Sequence, residues 1–558
     1  MSFILTFTTT VVALLTICLV TPALAGYVSR SIFRGIGWYV QGKTKGRRDL
    51  IISRVRVDEE EYRSERRRSG SGAEDEDWEK VEECYPAQTT PKPDDWDGII
   101  GFFHPFCNAG GGGERVLWAA VRATQKRWPK AICAIYTGDH EADKATMLER
   151  VENRFNIRLH HPTVVLLYLS TRNYVLSSTY PHLTLLGQSL GSLVLAYDAF
   201  SLLVPDIFVD TMGYAFALAF CHYLFPSVPT GSYTHYPTIS TDMLESLDDT
   251  SGQRGINAGA GVGWKGFAKK HYWSAFARLY GWVGGTIDVV MCNSSWTSAH
   301  IASLWGPSRE SRKLEYKDPT VVFPPVAVTE LETGIDINPT TERETREPTI
   351  LYIAQFRPEK NHPLLLRSFA RFLHDHNRKS TSSSSKPPQL ILIGSVRHST
   401  PDETHIYNLR LLAHELKIRN NTTFLCDASW PTILEHLSRA SIGTNAMWNE
   451  HFGICVVEYQ AAGLICVVHD SGGPKQDIVI DQPGGGDGGS GPTGFRATTE
   501  EEFASAFAKA LELPEKEKVN MRMRARRSAK RFSDEEFEKG WVGQMEALVR
   551  LQVEKKAR

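Results

Sequence analysis

Short apolar runs separated by helical stretches recur along most of the chain. Ile99-Ile-Gly-Phe-Phe103, Ala131-Ile-Cys-Ala-Ile-Tyr136, Thr163-Val-Val-Leu-Leu-Tyr168, Ile207-Phe-Val-Asp210 and Val289-Val-Met-Cys292 read as strands. Runs without polar alternation, spaced by helices, predict a parallel sheet covered on both faces. A second set follows at Thr349–Ile353, Leu390–Ile393, Thr423–Leu425, Ser441–Thr444 and Ile465–Val468. Between the sets, Glu330–Pro348 is polar and rich in Thr and Glu, which places a linker there. The pattern predicts an α/β fold of two Rossmann-like domains facing a cleft, over residues 98–335 and 336–520, with a helical tail over 521–558. Arg378–Pro388 and the glycine-rich Asp481–Gly494 read as surface loops.

The N-terminal stretch departs from this pattern. Phe3–Ala25 carries no charge and approaches the ~20 residues that cross a bilayer. The first basic residues follow it, at Arg30, Arg34, Lys43, Lys45, Arg47 and Arg48, and positive charge stays cytoplasmic. Residues 1–25 are therefore expected to be a transmembrane anchor with the body in the cytosol. A cleaved signal is the alternative, since Thr21-Pro-Ala-Leu-Ala25 ends in small residues. Residues 26–97 are expected to be a charged linker, densest at Glu59-Glu-Glu61, Arg66-Arg-Arg68 and Glu74–Asp77. The net charge of −1 provides no field for nucleic acid, and no basic patch with interleaved aromatics supplies one locally. Nine scattered cysteines, none in a CxxC pair, read as free thiols of a reducing compartment. The stretch 267–285, aromatic with Lys269, Lys270 and Arg278, reads either as a membrane-surface contact or as a helix packed on the sheet.

Three motifs carry candidate chemistry. His104-Pro-Phe-Cys-Asn-Ala-Gly110-Gly111-Gly112-Gly113-Glu114 follows a strand and opens a helix. Gly111, Gly112 and Gly113 would let backbone N–H groups approach an anion. A nominal GxGxxG at Gly261–Gly266 has no strand before it and reads as loop. Gln355-Phe-Arg357-Pro-Glu-Lys360 sets two cations at the carboxyl end of a strand, where α/β sheets bind ligands and where Arg and Lys can take a diphosphate. Glu450-His-Phe-Gly-Ile-Cys-Val-Val-Glu458 holds two glutamates at a helix entrance and on an apolar helix face. A carboxylate on such a face needs a partner, and ribose or sugar hydroxyls would serve. Gly472-Gly473, after Asp470, reads either as a further sugar or phosphate contact or as a plain turn. The DxD strings Asp75-Glu-Asp77 and Asp95-Trp-Asp97 lie in or beside charged linker and read as linker, so no metal site is expected.

At these residues the chain resembles retaining glycosyltransferase family 4, whose members have the two-Rossmann GT-B fold. The E-x7-E string of Glu450 and Glu458, and the basic pair Arg357 and Lys360, match that family's donor site. The segments His104–Trp118, Gly231–Leu244, Asn293–Trp296 and Gln355–His362 resemble its dolichol-pathway alpha-1,2-mannosyltransferases. The resemblance spans roughly residues 98–480 and departs at 55–95 and 481–494. It implies GDP-mannose as donor and a dolichyl-diphosphate oligosaccharide as acceptor, at the cytosolic face of the endoplasmic reticulum membrane, alongside other dolichol-pathway mannosyltransferases. It also implies an acceptor role for the N-terminal domain and a donor role for the C-terminal one. Glu450 and His235 would act on the reacting sugars, Glu458 on the ribose, and Arg357, Lys360 and the glycines on the diphosphate, with no cofactor or metal. Another sugar-nucleotide transferase of the same fold, and a non-catalytic membrane-tethered binding module, are the alternatives.

Overall fold

The computed structural model describes residues 22–69, 96–108, 110–249, 254–255, 257–379, 386–396, 401–483 and 489–557. Seven parallel strands form the first sheet: β1 (Ile99–Phe103), β2 (Ile132–Thr137), β3 (Val164–Tyr168), β4 (Ile207–Asp210), β5 (Thr230–Thr234), β6 (Val289–Cys292) and β7 (Thr320–Val321). Their order is β3-β2-β1-β4-β5-β6-β7, so the sheet reverses direction of growth between β1 and β4. β5 has no apolar run, because Thr-Gly-Ser-Tyr-Thr is polar and yet wholly buried. Its neighbours β4 and β6 supply the ladder that its composition does not advertise.

The second sheet holds β8 (Glu347–Ile353), β9 (Gln389–Gly394), β10 (Thr422–Cys426), β11 (Ala440–Asn445) and β12 (Ile465–His469). After the small hairpin of β13 (Asp481–Gln482) and β14 (Gly491–Pro492), β15 (Gly494–Ala497) adds the edge strand. The order β10-β9-β8-β11-β12-β15 reverses between β8 and β11. The expected linker over 330–348 is ordered, with short helices Val328–Gly334 and Pro339–Glu344 leading into β8.

Both ends of the chain correct the sequence reading. Helix α1 (Pro22–Ser69) occupies most of what reads as charged linker. Its charges pair along one face, Arg54 with Asp58 and Glu59 with Arg63, at helical i,i+4 spacing. It is also tied to the first domain. Val40, Thr44 and Val55 are buried, Arg48 pairs with Asp206, and Glu59 meets His160 at 2.6 Å. Of the anchor expected over 1–25, residues 1–21 lie outside the described residues.

The expected C-terminal tail is shared between the domains. One helix (Glu515–Ala529) locks onto the second domain, where buried Arg522 pairs with Glu342 at 2.7 Å and donates to the Ser441 and Gly463 carbonyls. The last helix (Asp534–Ala557) crosses back to the first. Trp541 stacks on Phe102 at 6.1 Å and donates to Thr124, and Lys126 pairs with Glu538. The described cysteines are all free.

Candidate functional site

Parallel α/β sheets bind ligands beyond the carboxyl ends of their strands, at the point where strand order reverses. In the first sheet that point lies between β1 and β4. His104 follows β1, and its Nδ1 lies 2.7 Å from the Thr211 hydroxyl, after β4. His235 follows β5, and its Nε2 is 3.1 Å from the Thr211 carbonyl oxygen. A carbonyl only accepts, so Nε2 of His235 carries the proton and Nδ1 keeps its lone pair. Burial pushes both imidazoles down, His104 to about 3 and His235 to about 4, so both are neutral at physiological pH.

Helix α2 (Gly112–Arg127) opens beside them, and a Cβ on Gly113 would lie 3.7 Å from His235 Nε2. Gly110 has φ +76, and a side chain there would run into Arg154. Gly111 donates its N–H to Glu114 Oε2 at 2.6 Å, so it is not available to a ligand. Gly112 and Gly113 remain as the first N–H groups of the helix, without an acceptor among the described residues.

The second reversal lies between β8 and β11, and an ion pair spans it. Lys360, after β8, meets Glu450, after β11, at 2.6 Å, and Asn445 donates to the same carboxylate oxygen at 3.2 Å. Burial opposes charge on both groups. The pairing wins, holding the Glu450 carboxyl below and the Lys360 ammonium above their usual ranges. Arg357 is half-buried at the start of the turn Pro358–Lys360, and its Nε has no partner among the described residues. Gly472 and Gly473 shape the Glu450 loop. Gly473 gives its N–H to the Glu450 carbonyl at 2.8 Å, and Gly472, at φ +65, packs on the same backbone. The five-residue turn Pro474–Ile478 that follows leaves no helix N-terminus of useful length.

Glu458 lies in helix α3 (Ile454–Ala461). Its carboxylate makes no hydrogen bond or ion pair among the described residues. Burial raises its pKa, and Arg115, from α2 of the other domain, is the opposing cation.

The two halves meet closely. A Cβ on Gly112 would lie 2.6 Å from Ile454 Cδ1, so the openings of α2 and α3 face each other. Asp242 accepts from Asn449 at 2.6 Å and from Trp296 at 3.2 Å, and Ser295 N–H donates to Asp477 at 2.9 Å. His451 stacks on Tyr236 at 4.9 Å and lies 5.3 Å from Trp296. The opening of α2, with Gly112 and Gly113 beside His235, thus meets the opening of α3, which carries Glu458 and follows the Glu450 that holds Lys360.

His104, Thr211, Asn445 and His451 are missing from the sequence-based set. His104 heads the glycine motif and His451 sits inside the E-x7-E string, though neither was assigned a role, and the spacing of polar residues gave no sign of Thr211 or Asn445. Among the described residues no cluster of three metal-ligating side chains occurs. Asp97 is exposed before β1, while Asp75, Asp77 and Asp95 lie outside the described residues.

Comparison with known proteins gives consistent matches. The family described as ALG11 mannosyltransferase N-terminus matches residues 97–305, and that described as Glycosyl transferases group 1 matches residues 336–531. The GDP-Man:Man(3)GlcNAc(2)-PP-Dol alpha-1,2-mannosyltransferase of Neurospora crassa is 55% identical over 99% of this chain and 98% of that protein. The Homo sapiens protein of the same name is 44% identical over 81% of this chain and 87% of its own length. Among solved structures, Anabaena HepE in complex with UDP-glucose matches with a TM-score of 0.52 at 13% identity, covering 81% of this chain and all of that one. The Candida albicans trehalose-6-phosphate phosphatase N-terminal domain matches at 0.56 and 12% identity, over 83% of this chain and 99% of that one. At such identity these structures establish the two-domain GT-B fold alone.

Proposed function

The chain belongs to the ALG11 mannosyltransferase family, and on that premise we propose that it transfers mannose from GDP-mannose, in alpha-1,2 linkage, to a dolichyl-diphosphate-linked oligosaccharide. The observation that carries this reading is the Lys360–Glu450 pair spanning one strand-order reversal, opposite Gly112, Gly113 and His235 at the other.

The donor diphosphate lies at the end of β8, between Arg357 and Lys360. The N–H groups of Gly112 and Gly113 approach it from the facing helix. Glu458 accepts from the ribose hydroxyls, which supply the partner its half-buried carboxylate lacks. Glu450 orients the mannosyl hydroxyls. GDP leaves with its charge developing against Arg357 and Lys360, and each such preorganised contact is worth roughly 3 kcal/mol. The neutral His235, with Nε2–H held by Thr211, offers Nδ1 to the attacking acceptor hydroxyl. Departure and attack on the same face retain configuration, and protein cations perform the role a metal would otherwise take. Residues 1–25, with their uncharged run, anchor the chain in the endoplasmic reticulum membrane, with the catalytic body on the cytosolic side.

Donor competition tests the reading. GDP should inhibit transfer from GDP-mannose far more strongly than UDP, and Lys360→Ala should weaken GDP binding. Equal inhibition by both nucleotides, or unchanged GDP affinity in the variant, would reject it.

A further inference from the structure

We infer that the outer faces of three helices of the first domain form one docking surface for a phospholipid bilayer containing anionic lipid. The inference rests on the proposed function only in that a lipid-linked acceptor gives such a surface a use.

Helix Thr184–Leu202 is the only helix among the described residues long and apolar enough to cross a membrane. It does not cross one, because Leu195, Ala196, Ala199 and Phe200 are core residues. The outward face of a surface helix is normally polar. Here it is apolar, with Leu190, Val194 and Tyr197 exposed at helical spacing.

Helix Gly263–Gly284 behaves in the same way. Trp273, Phe276 and Tyr280 are buried in the core, which overturns the idea that the whole aromatic stretch meets lipid. Its outer face nevertheless exposes Trp264, Phe267 and Trp282, with 77, 63 and 50% of their surface accessible. Lys265 and Arg278 are also exposed on it, and the helix contains no acidic residue. Aromatic side chains with basic neighbours suit the lipid–water interface.

Helix α1 completes the surface. Val28, Ile32 and Ile36 form an exposed stripe at i,i+4 spacing, with Arg30 and Arg34 between them. Rings join the three helices. Phe33 of α1 lies 6.0 Å from Tyr223, which stacks on Trp282 at 6.2 Å. Leu186, in the first turn of helix Thr184–Leu202, donates its backbone N–H to the Tyr272 hydroxyl oxygen at 3.0 Å.

Charge and chain continuity identify the occupant. No acidic residue precedes Asp49, so the approach to the surface is uniformly uncharged or basic. The uncharged run ends at Ala25, and a Cβ on Gly37 would collide with the Leu224 carbonyl, so α1 is pinned to the domain by that point. The helix between them spans only ~18 Å at 1.5 Å per residue. The described end of the run, Pro22–Ala25, is therefore continuous through one rigid helix with this apolar and basic face.

Hydroxyl-radical footprinting of the full chain in phosphatidylcholine–phosphatidylserine vesicles tests the surface. Trp430, in the second domain, is 38% accessible and serves as the reference of the same residue type. By exposure alone Trp264 and Trp282 should oxidise faster than Trp430. Docking reverses that order, with both suppressed several-fold below Trp430. If they oxidise faster than Trp430 in the vesicles, the inference is wrong. Trp264→Glu with Phe267→Glu, both at exposed positions, should lower transfer to acceptor in vesicles several-fold and leave transfer to detergent-dispersed acceptor unchanged. An equal effect in both settings would also overturn the docking role. Protection of Trp264 and Trp282 in a chain that transfers no mannose would reject the proposed function and leave the docking surface standing.

Discussion

Replacing Glu450 by Gln should destabilise the empty protein and make it more dependent on GDP. The substitution keeps the shape and the bond from Asn445 but removes the charge that faces Lys360 at 2.6 Å. The side chains of Lys360 and Glu450 are 20 and 12% accessible, so the ammonium is left largely desolvated and unpaired. Breaking a buried pair costs about 3–5 kcal/mol, and this partial exposure argues for the lower end. At roughly 2–4 °C per kcal/mol for a domain of this size, the melting temperature should fall by about 6–12 °C. A diphosphate restores an anion to Lys360, so GDP should raise the variant's melting temperature more than that of the unmodified chain.

The pH dependence follows from the depressed carboxyl. Its stabilisation is present above the unfolded glutamate value and is lost as pH falls through the depressed folded one. The gap between the two proteins should therefore be full at pH 7 and narrow in acid, as pH falls from the unfolded glutamate value of roughly 4.3 through the lower folded one. Thermal melts with and without GDP at pH 7 and in acid measure this. Equal melting temperatures at pH 7 without GDP, or equal gains on adding it, would refute the claim that Lys360 and Glu450 hold each other's charge until the donor arrives.

Activity should persist in excess EDTA, because Arg357 and Lys360 are positioned for the diphosphate; loss on chelation with recovery on adding manganese would contradict this. Glu458→Gln should raise the KM for GDP-mannose about tenfold or more, and steady-state kinetics measure it. The same variant reports on burial. Because the folded pKa of Glu458 is raised, ionising it costs stability as pH rises through that value. Melts of the Glu458→Gln variant and the unmodified chain should coincide below the unfolded glutamate value and separate as pH rises through the raised folded one, with the variant higher. His235→Asn should lower kcat on the order of 100-fold. The acid limb that His235 contributes to kcat/KM should fall near pH 4, where burial places it, and a limb near 6.5 would reject the neutral imidazole.

The two sheets were legible in sequence because most of their strands are apolar runs. β5 was not, since Thr230, Ser232 and Thr234 are polar residues buried by their neighbours. Helix α1 was misread for a related reason. Its composition is that of a solvated linker, and only the structure supplies the fixed partners Asp206 and His160. The glycine turn, the basic pair and the two glutamates could be named individually. Their pairing could not, because Lys360 and Glu450 are far apart in sequence and meet only where β8 and β11 become neighbours. The loss of Gly111 and Gly473 as free N–H donors was equally hidden, because it depends on where Glu114 and the Glu450 carbonyl settle. The field of Arg115 on Glu458 requires the two domains to face each other.

The most direct test of the central claim is the product itself. Membranes containing the chain are incubated with GDP-mannose and a synthetic trimannosyl diphospholipid, and the glycolipid is weighed before and after digestion with an alpha-1,2-specific mannosidase. The proposed function requires mass gains of one and then two hexoses, both removed by the mannosidase and both absent with Glu450→Ala. An unchanged acceptor mass, or added hexose that resists the mannosidase, would contradict it.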